Sequence, residues 1–137
     1  VTANTKPIGV AYEDQNIIGA NVVYVDSELG YTAAAQGAVT QATDKSTAVT
    51  LNKAAGRITM NAASLGANTA VVFNLNNSYI SANDLVIVNV SGGGTAGAYT
   101  VYVSSMGAGV AAIALRNLTG GALAEAVIVN FAILHCV

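Results

Sequence analysis

Gly92, Gly94 and Gly97 spell G-x-G-x-x-G, the spacing with which a strand-to-helix turn cradles the pyrophosphate of a dinucleotide. That chemistry needs a helix N-terminus directly after the glycines and an acid about twenty residues on for the ribose. The residues that follow, AYTVYVSS, alternate as a strand does, and Asn117 stands where the acid is required. The spacing therefore predicts a β-hairpin over Asp84–Ser104, its glycines supplying positive φ in the loop, and no nucleotide cofactor. His135 and Cys136 are the other reactive pair. Adjacent residues give two metal ligands at most, whereas a structural zinc takes four, so no metal is expected. On a strand these two side chains face opposite ways, so His135 is not placed to activate Cys136. A Ser-His-Asp triad would have to recruit that same near-terminal histidine. Asp84 and Glu125 sit at strand boundaries and read as ordinary boundary carboxylates, not as a glycosidase pair. Tyr99 and Tyr102 alternate across a strand and form no joint stacking platform. The expectation is a chain that is not an enzyme and binds no cofactor.

The elements that would carry these residues read as strands. From Gly37 onward, apolar runs of four to eight residues recur between Gly, Asn, Ser and Asp. They are Thr47–Leu51, Gly56–Met60, Ala70–Leu75, Asp84–Val90, Ala98–Ser104, Val110–Leu115 and Ala126–Leu134. Val71, Phe73 and Leu75 share one face, and Val72, Asn74 and Asn76 the other. Val127, Val129, Phe131 and Ile133 alternate with Ala126, Ile128, Asn130 and Ala132. Period two with β-branched residues predicts short strands, spaced as in a sandwich or barrel. Alanine favours helix in Ala108–Leu115, but flanking glycines and the Arg116-Asn117 turn favour a strand. Two short helical pieces are expected, at Met60–Leu65 and at Leu123–Glu125. The last strand is apolar on both faces, so it is either central or buried at a subunit boundary.

Residues 1–36 read differently. Pro7 keeps Thr5-Lys6 out of helix, and no period is sustained before Val22–Val25, a short strand. Turns are expected at Asp26-Ser27 and at Gly30, and a helical turn at Thr32–Gln36. Ile8, Val10, Ile17 and Ile18 are unusual for a disordered tail and suggest an extended arm ordered against a neighbouring subunit. The expected division is an arm with a short strand over 1–36 and a β domain over 37–137.

Charged residues are only 9% of the chain, against roughly 25% in ordinary domains, while 53% are hydrophobic. So little charge suits a surface covered in part by other subunits. The charge is also uneven. Glu13, Asp14, Asp26 and Glu28 against Lys6 give −3 over 1–36. Asp44, Asp84 and Glu125 against Lys45, Lys53, Arg57 and Arg116 give +1 over 37–137. No basic patch emerges to meet nucleic-acid phosphates, so no nucleic acid is expected as partner. The apolar C-terminal run is interrupted by Glu125 and Asn130 and is shorter than the ~20 residues of a spanning helix, so no membrane is expected either. One cysteine, Cys136, excludes an internal disulfide and suits a reducing cytoplasm.

Three segments carry a resemblance: GAVTQATDKSTAVTLNKAAGRITMNAASL (Gly37–Leu65), SGGGTAGAYTVYV (Ser91–Val103) and ALRNLTGGALAEAVIVNFAIL (Ala114–Leu134). Together they resemble a family of small virion structural proteins of tailed bacteriophages, of the capsid decoration (cement) or head-fibre type. The resemblance implies an all-β fold, an antiparallel, jelly-roll-like β-sandwich of about seven to eight strands with an extended N-terminal arm. It implies a non-enzymatic cement protein on the capsid surface, assembled in the host cytoplasm. Its partners would be the major capsid protein and further copies of itself, as a homotrimer. The alternative is a tail or head fibre module that attaches to a receptor or glycan. Ile8, Val10, Ile17, Ile18, Val127, Val129 and Phe131 are the expected subunit or capsid contacts.

Overall fold

The computed structural model describes residues 22–25 and 28–136. The chain divides into two units between Gln36 and Gly37. In the first, β1 (Val22–Val25) pairs antiparallel with β2 (Glu28–Tyr31). The expected turn at Gly30 is therefore a correction: Gly30 lies within β2, opposite Val23. The turn expected at Asp26-Ser27 lies outside the described residues. The helical turn expected at Thr32–Gln36 is present as a 3-10 turn, Ala33–Ala35, and Gln36 Nε2 donates to the Tyr31 carbonyl at 3.0 Å.

The second unit is a β-sandwich. Its strands are β3 (Gln36–Thr40), β4 (Val49–Thr50), β5 (Ala55–Thr59), β6 (Ala70–Asn76), β7 (Leu85–Gly92), β8 (Tyr99–Gly107), β9 (Val110–Asn117) and β10 (Ile128–Leu134). One sheet has the order β4-β6-β9-β8 and the other β3-β5-β10-β7. All seven strands expected from the period-two runs are present. β3 was not expected, because QGAVT is too short and too small in side chain to show a pattern. The β4–β6 pair is parallel, while β6–β9, β9–β8, β5–β10 and β10–β7 are antiparallel.

Alternation decides which side chains meet between the sheets. Phe73, Leu75, Ile113 and Leu115 from one sheet pack with Ile58, Val86, Val129, Phe131 and Ile133 from the other, all buried. Each such side chain contributes about 1.5–3 kcal/mol on leaving water. Gly56 lies opposite Phe131, and a Cβ there would approach the Leu51 side chain to 2.7 Å and the Gly37 carbonyl to 2.9 Å. Glycine lets β5 run beneath that ring.

The Ala-rich run at 110–117 is a strand, as its flanking glycines indicate. It forms a hairpin with β8 through Ala108-Gly109, where Gly109 has φ 77°. Gly109 N–H donates to the Ile80 carbonyl at 2.8 Å, which ties this hairpin tip to the β6–β7 connection. The two expected helical pieces are corrected. Leu65 and Leu123 instead form an isolated antiparallel bridge, with amide bonds of 2.8 and 3.0 Å in both directions. Segments this short cannot repay helix nucleation, and pairing with each other satisfies their backbone groups.

Candidate functional site

The glycine loop does not close a hairpin. β7 pairs with β10 in one sheet, and β8 pairs with β9 in the other. Residues 93–98 therefore arch from sheet to sheet between two edge strands, which corrects the expected hairpin. A strand follows the glycines, so the loop opens no helix. Two of its glycines pack against the chain itself. Gly93 has φ 73°, and a Cβ on it would lie 2.2 Å from the Ala126 carbonyl. A Cβ on Gly94 would lie 2.8 Å from the Tyr99 ring. Thr95 Oγ1 and Tyr99 OH both donate to Glu125 Oε2, at 3.0 and 3.4 Å. Burial and the adjacent Glu125 carboxylate push the Tyr99 phenol up from its ordinary pKa. Asn117, standing where a ribose acid would be, is fully buried. Its Nδ2 lies 2.8–3.1 Å from the carbonyls of Leu65, Gly66 and Gly121, and its Oδ1 accepts from Thr119 N–H and Oγ1.

The C-terminal pair is also built into the fold. His135 Nδ1 donates to Asp84 Oδ2 at 2.9 Å, and Cys136 N–H donates to Asp84 Oδ1 at 3.3 Å. Ser81 N–H reaches the same carboxylate at 2.8 Å. Burial opposes ionisation of Asp84, but the bonds from Ser81, His135 and Cys136 outweigh it and hold its carboxyl at about 2. The group thus fastens the chain end beyond β10 to the start of β7. Cys136 is exposed.

Sequence reasoning passed over a third polar cluster, at residues 41–61. Lys45 is buried, and its ammonium donates to the carbonyls of Asn61 and Glu125. Burial pushes its pKa down, and the Glu125 charge partly offsets this. Gln41, also buried, donates to the carbonyls of Lys45 and Thr47 and accepts from Asn61 N–H at 3.0 Å. A lone lysine in a Thr- and Ser-rich stretch gives no signal of such burial. Among the described residues, no group of three or more His, Cys, Asp or Glu could hold a metal ion. Among the same residues, no helix is long and apolar enough to cross a membrane.

The expected contact residues fall into two groups. Ile8, Val10, Ile17 and Ile18 lie outside the described residues. Val127, Val129 and Phe131 are 0–3% exposed in the core between the sheets, so they cannot meet a partner, and this expectation is corrected. The strand is central, and its opposite parity faces outward. The missed surface residues are Leu134 of β10, with Leu85 and Ile87 of β7, each 47–54% exposed. Leu85 lies opposite Leu134, and Ile87 lies opposite Ala132, which in turn lies opposite Ala55. The next row is Asn89, Asn130 and Arg57. The signal was present in the sequence, in apolar residues at both parities of LVIVNV and VIVNFAIL. On the outward face of the other sheet, Val72 and Tyr102 flank the buried Ala114.

These features define an all-β sandwich whose polar side chains brace its loops and whose outward faces carry apolar residues. Comparison with protein-family models, with curated proteins and with solved structures gives no match.

Proposed function

We propose that this chain is a non-enzymatic structural protein of tailed-bacteriophage virions, a capsid cement protein that self-associates as a trimer and bridges major capsid protein subunits on the head surface. The observation that carries the reading is the outward face of the β3-β5-β10-β7 sheet, where Leu85, Ile87 and Leu134 are about half exposed. Clustered apolar residues on an outward sheet face favour a protein partner over water. The segments that resemble the phage family, Gly37–Leu65, Ser91–Val103 and Ala114–Leu134, all lie in the unit that folds as the sandwich. The groups that chemistry would enlist are engaged otherwise. Asp84 and His135 fasten the C-terminus, Glu125 holds Thr95 and Tyr99, and Lys45 binds carbonyls.

Cement stabilises a shell by mass action, because it binds the assembled state in preference to free subunits. Two measurements test the reading. Sedimentation should give the mass of a trimer. Electron microscopy of phage particles carrying labelled protein should place it at capsomer junctions in many copies. A monomer that labels only tail or fibre ends would overturn it in favour of a receptor- or glycan-binding fibre module.

A further inference from the structure

We infer that the outward face of the β3-β5-β10-β7 sheet is the docking site for residues 8–18 of a second copy of the chain. This rests on the self-association in the proposed function and gives it a site and an occupant. The face has two parts. One is apolar, formed by Leu85, Ile87 and Leu134. The other is the row Arg57–Asn130–Asn89, whose only charge is cationic. The occupant must therefore carry apolar side chains and, a fixed distance away, an acid. The N-terminal stretch holds 4 acidic residues against Lys6 alone, and within it YEDQNII places Glu13-Asp14 just before Ile17-Ile18.

The spacing fits. Arg57 and Ile87 stand two strands and one row apart, about 12 Å on the sheet. An extended chain from Glu13 to Ile17 spans about 13 Å. With Glu13 at Arg57, Ile17 shares its parity along the extended segment and reaches Ile87, while the backbone at Ile18 continues toward the Leu85–Leu134 end. Docking of one copy's segment on the next copy's face is a head-to-tail contact, and such contacts close into rings when the rotation permits. A trimer needs that kind of contact.

The native thiol reports on this placement, because Cys136 is exposed two residues beyond Leu134 and is the chain's only cysteine. The full-length Ile18→Cys variant is oxidised mildly at micromolar concentration and separated without reductant. The wild type can form at most a Cys136–Cys136 dimer. Ile18→Cys should give a disulfide ladder through trimer, lost on adding Cys136→Ser or Ile87→Lys. Thr2→Cys, also in the N-terminal stretch, should cross-link far more slowly. Arg57→Glu should lower the trimer yield about fivefold, as removal of one partly screened ion pair does. Combining it with Glu13→Lys and Asp14→Lys should restore the yield. Equal ladders from Ile18→Cys and Thr2→Cys would overturn the docking, as would an intrachain disulfide with no ladder. Sedimentation separates the two levels. A trimer without specific cross-linking rejects only this site, whereas a monomer rejects the self-association beneath it.

Discussion

Asp84 is the described side chain whose surroundings make the sharpest demand on pH. Burial disfavours its charge, yet three donors hold its carboxyl at about 2, below the ordinary 3.8. A folded-state pKa below the unfolded one stabilises the fold when the group is ionised in both states. The contribution is therefore complete above about 3.8 and is lost as pH falls through about 2. Asp84→Asn should be less stable than wild type near neutrality. The gap between their urea midpoints should close between pH 4 and pH 2, and a gap unchanged at pH 2 would reject this account. Asn117 makes a demand that does not depend on pH. It is 0% exposed and its side chain joins three carbonyls to Thr119, so Asn117→Ala removes several hydrogen bonds at once. The expected loss is about 3 kcal/mol, read from chemical denaturation, as for two or three hydrogen bonds of about 1 kcal/mol net each.

Among the elements, the arch between β7 and β8 separates the reasons for using glycine. Gly93 combines a left-handed backbone with a Cβ position that collides with the Ala126 carbonyl. Gly97 has a similar φ of 77° but open space around it, and Gly92 has open space without positive φ. Gly97→Ala should cost about 1–2 kcal/mol, the left-handed penalty for an L residue. Gly93→Ala should cost distinctly more, and Gly92→Ala close to nothing, in unfolding midpoints measured side by side. Equal costs at Gly93 and Gly97 would mean that the arch does not pack against Ala126. This element also shows how far the sequence could be read. Period two in TVYV and VIVNFAIL located strands and their faces, because alternation is a local property. The arch reads as a hairpin in the sequence because strand pairing is not local. LVIVNV and AYTVYV match a hairpin as well as they match two edges of opposed sheets. The short helical pieces failed for the same reason, since the Leu65–Leu123 bridge joins distant segments. Val127, Val129 and Phe131 read as contacts in the sequence because both parities of VIVNFAIL are apolar. Only the partner sheet decides which parity faces inward.

For the whole molecule, the few charges carry a consequence beyond solubility. Lys45 and Asp84 are buried in polar clusters, and Glu125 is engaged by Thr95 and Tyr99. The face bearing Leu85 and Ile87 is left with Arg57 as its charged residue. The proposed association there would be dominated by apolar burial, with one ion pair beside it, so it should respond weakly to salt. Apolar contact is not screened, and a single pair adds little. Association that favours the folded chain must also raise its unfolding temperature with concentration. Wild-type Tm is therefore expected to climb on concentration over a hundredfold range and to change little between low and high salt. Ile87→Lys should remove the concentration dependence, because it places a charge in the apolar face. It should leave Tm at high dilution near the wild-type value, since Ile87 is 54% exposed and contributes little to the core. A wild-type Tm that does not vary with concentration would show that the sandwich keeps this face open to water.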